Sequence, residues 1–227
     1  MHNQIDGEVI HPWIAIEGGD AVGKTTVCEY VKTLITDLGL SPVLSTGHAH
    51  GDFGQMIRTA LLHPYTAEVS QTSQLLLFLA NRAHIFKELV YPAMMNGQIP
   101  IVDRWHMTSY AYQTQAVNLE KFCLLLTPTL PTLSIVLLAS KETSLERRGK
   151  RNRATDHLEQ RAIEFANDLN EKFLDIAERG IFSGDYIIIN ANEDLQSVLA
   201  NVRKAVINHL TDLGVIKDES RVIENTN

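Results

Sequence analysis

The sequence predicts an α/β fold: a three-layer domain built on a five-stranded parallel sheet with helices on both faces. Short β-rich runs alternate along the chain with long amphipathic helical patterns, the signature of a parallel sheet covered on both sides. A glycine-rich loop stands directly between the first apolar run and the first helical pattern. The 227 residues contain no internal repeat and no low-complexity linker, so one domain around one core is expected.

The elements follow in order. Trp13 to Ile16 forms the first strand, and a helix opens near Lys24 with Val27, Val31, Leu34, Ile35 and Leu38 on one face and Gly39 as its stop. Val43-Leu44 is the second strand and leads into the loop STGHAHGD. A helix from about Phe53 to Leu62 precedes a longer one from about Ser70 to Asn96, which Pro92 kinks or ends early. Ile99 to Asp103 is the third strand, with Pro100 near its start, where a missing N–H is tolerated. Helices are expected around Thr108–Gln115 and Leu119–Leu126, before the fourth strand, Leu133 to Leu138. A basic stretch, Arg147 to Arg153, leads to a periodic helix marked by Leu158, Phe165, Leu169, Phe173 and Ile176. Tyr186 to Ile189 is the fifth strand, and a last helix runs through Val198, Val202 and Val206 to Gly214.

Composition narrows the class. Apolar residues make up 44% and charged residues 21%, the balance of a soluble globular protein. A net charge of −7 gives no general attraction for nucleic acid, so an anionic ligand must be held by a local basic cluster. Cys28 and Cys123 both lie in apolar helical patterns, which reads as reduced core packing. The stretch MHNQIDGEVIHP has no basic region and no apolar run, and no run reaches membrane length. The expectation is a cytoplasmic protein without a signal peptide, a nucleic-acid partner or a membrane partner.

Gly18-Gly19-Asp20-Ala21-Val22-Gly23-Lys24-Thr25 matches the pattern G-x-x-x-x-G-K-S/T, with Thr26 following. Its glycines let successive N–H groups turn toward one point, and the helix start adds partial positive charge. Lys24 would reach the β- and γ-phosphates of a triphosphate such as ATP, and the Thr25 hydroxyl would bind Mg²⁺. A switch GTPase would also need D-x-x-G and N-K-x-D, and neither is present.

Four segments together resemble the thymidylate kinase family: E-G-G-D-A-V-G-K-T-T at Glu17–Thr26, F-L-A-N-R-A at Phe78–Ala83, D-R-W-H-M-T-S-Y-A-Y-Q at Asp103–Gln113 and D-H-L-E at Asp156–Glu159. The closing I-I-N-A-N-E-D-L is also similar, so the likeness covers most of residues 13 to 210. It implies a P-loop nucleoside monophosphate kinase domain over 12–214, a lid at about 147–156, an N-terminal extension over 1–11 and a polar tail over 215–227. It implies ATP and dTMP as substrates and a homodimer. By the same resemblance Arg104 holds the acceptor phosphate, Arg82 helps with phosphate and base, and Phe78 stacks on the base. Phe78 in LLLFLA reads equally as core from the sequence alone. Ser109, Tyr112 and Gln113 would lie near the acceptor sugar and base, and Asp20 would bond its 3′-hydroxyl. Asp103 would support Mg²⁺ from behind. In the family the chain resembles, the catalytic arginine comes from the phosphate loop or from the lid; as the loop here offers Ala21 and Val22, the resemblance implies a lid arginine, Arg148, Arg151 or Arg153.

One segment departs from the family. Where T-R-E-P-G-G-T is usual, this chain has Ser45-Thr46-Gly47-His48-Ala49-His50-Gly51, in the loop that borders the acceptor. His48 would contact the acceptor there, and Arg58 would replace the lost positive charge. The two histidines with Asp52 also suggest a metal site, although no further strong ligand stands in register. The rival readings are a kinase for another or modified deoxypyrimidine monophosphate, a deoxynucleoside kinase with Glu17 as base, and a nucleotide-binding regulator without catalysis.

Overall fold

Strand β3 (Ile14–Gly18) is the centre of the molecule, buried along its whole length and paired in parallel on both sides. The structure, a computed structural model, describes residues 4–5, 8–9, 12–45, 50–113, 129–150, 166–180 and 182–216. Before β3, β1 (Gln4–Ile5) and β2 (Glu8–Val9) form a small antiparallel ribbon. After it come β4 (Pro42–Ser45), β5 (Ile99–Asp103), β6 (Leu133–Leu138) and β7 (Asp185–Asn190). The five-stranded sheet has the order β4-β5-β3-β6-β7 and is parallel throughout, as the alternating pattern predicts.

The two-residue period of the strands divides the core. Ile14 and Ile16 point with Ile101, Ile135 and Leu137 to one face. There α1 (Lys24–Asp37) and α8 (Leu195–Asp212) cover them with Val27, Val31, Ile35, Val198, Val202 and Val206. Trp13, Ala15 and Val102 point to the other face, against Ile85, Phe86, Val90 and Met94. Val136 joins them on that side with Leu79, Met107 and Phe173. Each such side chain, once buried, contributes about 1.5–3 kcal/mol.

That second layer holds α3 (Gln71–Ile85), α4 (Tyr91–Met95), α5 (His106–Gln113) and α7 (Ala166–Arg179); α2 (Gly51–Leu62) packs on α3. Pro92 does not end the long helical run, which continues to Met95. A π turn, Phe86–Val90, precedes the proline, and in it the Tyr91 N–H donates to the Phe86 carbonyl five residues back. The wider turn accommodates a ring that would clash with an ordinary α ladder. Pro100 also fits without loss. The Ile99 N–H faces Ser41, so the Pro100 nitrogen faces β3, where pairing begins only at Ile101.

One helix carries no apolar stripe to announce it: α6 (Lys141–Gly149), with Leu145 exposed and Ser140 capping its first turn. Arg147, Arg148 and Gly149 form its last turn rather than an irregular stretch. The expected helix at Leu119–Leu126 and the start of the one through Leu158 lie outside the described residues.

Gly18 ends β3 at φ +133°, and a Cβ added there would lie 2.3 Å from the Leu137 carbonyl oxygen on β6. Both the backbone angle and the close approach require glycine. Gly18→Ala is expected to lower unfolding free energy by about 2–4 kcal/mol, measured by urea denaturation. A loss below about 1 kcal/mol would contradict this packing.

Candidate active site

The loop between β3 and α1 runs along the carboxyl edge of the sheet, where open α/β folds bind ligands. It needs left-handed backbone at Ala21 (φ 59°) and at Gly23 (φ 103°). Gly23 is the N-cap of α1; no side chain among the described residues caps that helix, and no acidic residue stands in its first turn. Its first N–H groups are therefore left for an anion. Lys24 is buried and its Nζ donates to the Gly19 carbonyl. Burial, and then the positive charge of Arg104, pull its pKa down to about 8. Thr25 and Thr26 follow, exposed, on α1.

Arg104 follows β5 directly and adopts φ 73°, a strained angle for a residue other than glycine that costs on the order of 1–3 kcal/mol. Its N–H donates to the Ile16 carbonyl at 2.9 Å, one step beyond the β3–β5 ladder. Its guanidinium turns back over the loop. Nη1 donates to the Gly18 carbonyl at 2.9 Å, and Nη2 pairs with the Asp20 carboxylate. The Tyr112 hydroxyl on α5 donates to the other Asp20 oxygen at 3.1 Å. The guanidinium also lies 5.6 Å from the Tyr112 ring centroid. Burial, then Asp20, push the Tyr112 phenol up, so it remains a donor. Burial opposes the Arg104 charge, but Asp20 and Tyr112 outweigh it and raise its pKa.

Glu17, immediately before the loop, is 1% exposed. Its Oε1 accepts from the N–H groups of Trp105 (3.0 Å) and Met107 (3.1 Å). Its Oε2 accepts from the Thr108 N–H at 3.1 Å and from the Thr108 hydroxyl. The carboxylate thus closes the start of α5, whereas the start of α1 stays open. Burial pushes the Glu17 pKa up, and the Thr108 hydroxyl and the arginines Arg82 and Arg104 oppose the shift.

Asp103 ends β5 beside the loop. Its Oδ2 accepts from the Thr25 hydroxyl at 3.5 Å, while its buried Oδ1 finds no hydrogen-bond partner among the described residues.

The other predicted residues divide. Arg82 is buried on α3, with its guanidinium 5.9 Å from the Phe78 ring, and Phe78 is half-buried and outside the core clusters. Ser109 is buried on α5, its hydroxyl without a hydrogen-bond partner among the described residues. Gln113 ends α5. Arg58 lies half-buried on α2, and no hydrogen bond or ion pair among the described residues joins it to this cluster. Arg148 is half-buried on α6; Arg151, Arg153 and His48 lie outside the described residues. Among the described residues no three His, Cys, Asp or Glu side chains gather for a metal. The contacts of Asp20 with Arg104 and Tyr112 were not foreseen, nor were the capping of α5 by Glu17 and the contact of Arg147, whose Nη1 donates to the Val22 carbonyl at 3.3 Å. A lone carboxylate in the apolar run WIAIEGG was the available signal for the capping by Glu17.

This sheet order, phosphate loop and cationic cluster define a nucleoside monophosphate kinase-like P-loop protein. The thymidylate kinase family model matches residues 16–202, and the chain belongs to that family. It is 28% identical to the thymidylate kinase of Chlamydia felis (strain Fe/C-56) over 85% of this chain and 96% of the relative. It is 32% identical to that of Chlamydia muridarum (strain MoPn / Nigg) over 74% and 85%, respectively. For the thymidylate kinase of Haemophilus ducreyi (strain 35000HP / ATCC 700724) the identity is 27%, over 88% and 94%.

Lys24 yields a pH dependence. Above pH about 8 the free site holds a neutral lysine, and a bound triphosphate must draw a proton back onto it. Nucleoside triphosphate affinity measured calorimetrically should therefore fall above pH 8, toward about tenfold per pH unit. In Lys24→Arg, whose guanidinium stays charged, that fall should vanish. A flat profile to pH 9.5 would contradict the assignment.

Proposed function

We propose that the protein transfers the γ-phosphoryl group of ATP to dTMP, giving ADP and dTDP. The observation that carries this reading is the placement of Arg104. One guanidinium is bonded to the donor loop at Gly18 and Asp20, and it stands against Tyr112 of the helix assigned to the acceptor. An arginine there serves two polyanions that must approach each other.

Lys24 and the open start of α1 take the β- and γ-phosphates. Arg104 takes the acceptor phosphate, with Arg82 and Phe78 toward the base and Tyr112, Ser109 and Gln113 toward the sugar. An acceptor phosphate oxygen forms a bond to the γ-phosphorus as the bond from that phosphorus to the β-bridging oxygen breaks, in line. The acceptor phosphate is already ionised at neutral pH, so no strong base is required, and catalysis is positioning and charge neutralisation. The deoxynucleoside-kinase reading loses support, because the base it needs, Glu17, is buried and already accepts at both oxygens.

The residues fit Mg²⁺: the Thr25 hydroxyl and the orphaned Asp103 Oδ1 lie at the loop, one suited to the metal and one to its waters. There the ion would neutralise phosphate charge. The lid arginines Arg148, Arg151 and Arg153 are assigned the charge that develops in transfer. A homodimer fits exposed apolar side chains on α2 and α3, Met56 and Leu76 among them. No helix among the described residues is long and apolar enough to cross a membrane.

With ATP and dTMP the protein should form ADP and dTDP one for one, followed by anion-exchange chromatography. Lys24→Ala should lower kcat by about 10³-fold or more while circular dichroism stays unchanged. Turnover surviving in the variant would contradict the reading.

A further inference from the structure

The strained turn at Arg104 is held by three consecutive residues of β3. The Ile16 carbonyl accepts the Arg104 N–H at 2.9 Å, and Glu17 Oε1 accepts the Trp105 N–H at 3.0 Å. The Gly18 carbonyl accepts the Arg104 guanidinium at 2.9 Å. The middle contact differs from the other two because it is made by a side chain, and that side chain also holds Met107 and Thr108. Arg104 and α5 therefore share one anchor, and α5 carries Tyr112, whose hydroxyl meets the Asp20 that Arg104 also meets. Burying a carboxylate at this place is costly unless its oxygens are filled, and the turn fills them.

We propose that Glu17 is a positioning residue of the transfer reaction: by clamping the N–H groups of Trp105, Met107 and Thr108 it fixes the Arg104 guanidinium and the Tyr112 hydroxyl against Asp20. It touches neither nucleotide. Its effect on the acceptor is exerted through Arg104, whose left-handed backbone relaxes when the next N–H loses its acceptor. A helix cap of purely structural kind would instead weaken folding, with no preference between donor and acceptor. The inference rests on the reading that Arg104 holds the acceptor phosphate.

The test compares Glu17→Gln, Thr108→Val, Arg104→Ala and the two double variants with Arg104→Ala, by calorimetric titration of dTMP and of ATP. In Glu17→Gln the amide nitrogen meets N–H donors whichever way it is turned, and dTMP affinity should fall about 10- to 100-fold. Thr108→Val removes only one donor, so it keeps the fold and should cost about 3- to 10-fold. ATP affinity should stay within about threefold in both. In the Arg104→Ala background neither change should weaken dTMP further, because residues that act through one another are not additive. If Glu17→Gln fails to fold, Thr108→Val alone decides. Unchanged dTMP affinity in the folded variants, or an equal loss for ATP, or a loss that persists without Arg104, would overturn the proposal. If Arg104→Ala itself leaves dTMP binding intact, the acceptor reading fails first. If Arg104→Ala weakens binding and the Glu17 and Thr108 variants do not, only the positioning role fails.

Discussion

Two helices begin side by side at the carboxyl edge of the sheet, and the Glu17 carboxylate makes them unequal. It fills the start of α5 with hydrogen bonds to Trp105, Met107 and Thr108. The start of α1, a few residues further along the chain, has no side-chain cap among the described residues and no acid in its first turn. One helix dipole is thereby used inside the protein and the other is left for a polyanion. The glycine at position 18 lets this happen in so small a space, because β6 passes within contact of its backbone.

The charges around that point explain how an acidic protein can hold two nucleotides. Lys24 and Arg104 converge on the Gly19 carbonyl, and the Arg104 charge makes that of Lys24 less favourable. Asp20 offsets part of this by pairing with Arg104, and Tyr112 completes its second oxygen. Lys24 and Arg104 are thereby gathered at one loop, although the net charge of the chain is −7. Phosphates entering the site relieve a repulsion that folding has built in, and they complete a set of donors already oriented.

The fold was legible where the signal is local. Short apolar, β-rich runs between helical patterns placed the strands of the sheet, and the structure divides the first of them between two faces, Ile14 and Ile16 on one and Trp13 and Ala15 on the other. The phosphate loop was legible for the same reason, as a contiguous motif between a strand and a helix. Helix α6 was not, because K-E-T-S-L-E-R-R-G has one apolar residue and its stability comes from the Ser140 cap and its charges. The role of Glu17 was hidden by distance: its partners lie 88 to 91 positions away, so only the fold brings them to it. The backbone angle at Arg104 was hidden too, because no glycine marks it. Phe78, undecided from the sequence, sits outside the core with Arg82 against its ring.

The most direct test of the central claim is a competition among acceptors. The protein is incubated with ATP and equimolar thymidine, dTMP, dUMP, dCMP and dGMP, and the products are separated by mass. An acceptor phosphate held by Arg104 predicts that thymidine is left untouched, and a base site at Phe78 and Arg82 of the thymidylate kinase kind predicts dTDP as the main product. Phosphorylation of thymidine, preference for another monophosphate, or tight ATP binding without transfer to any of them would contradict the account.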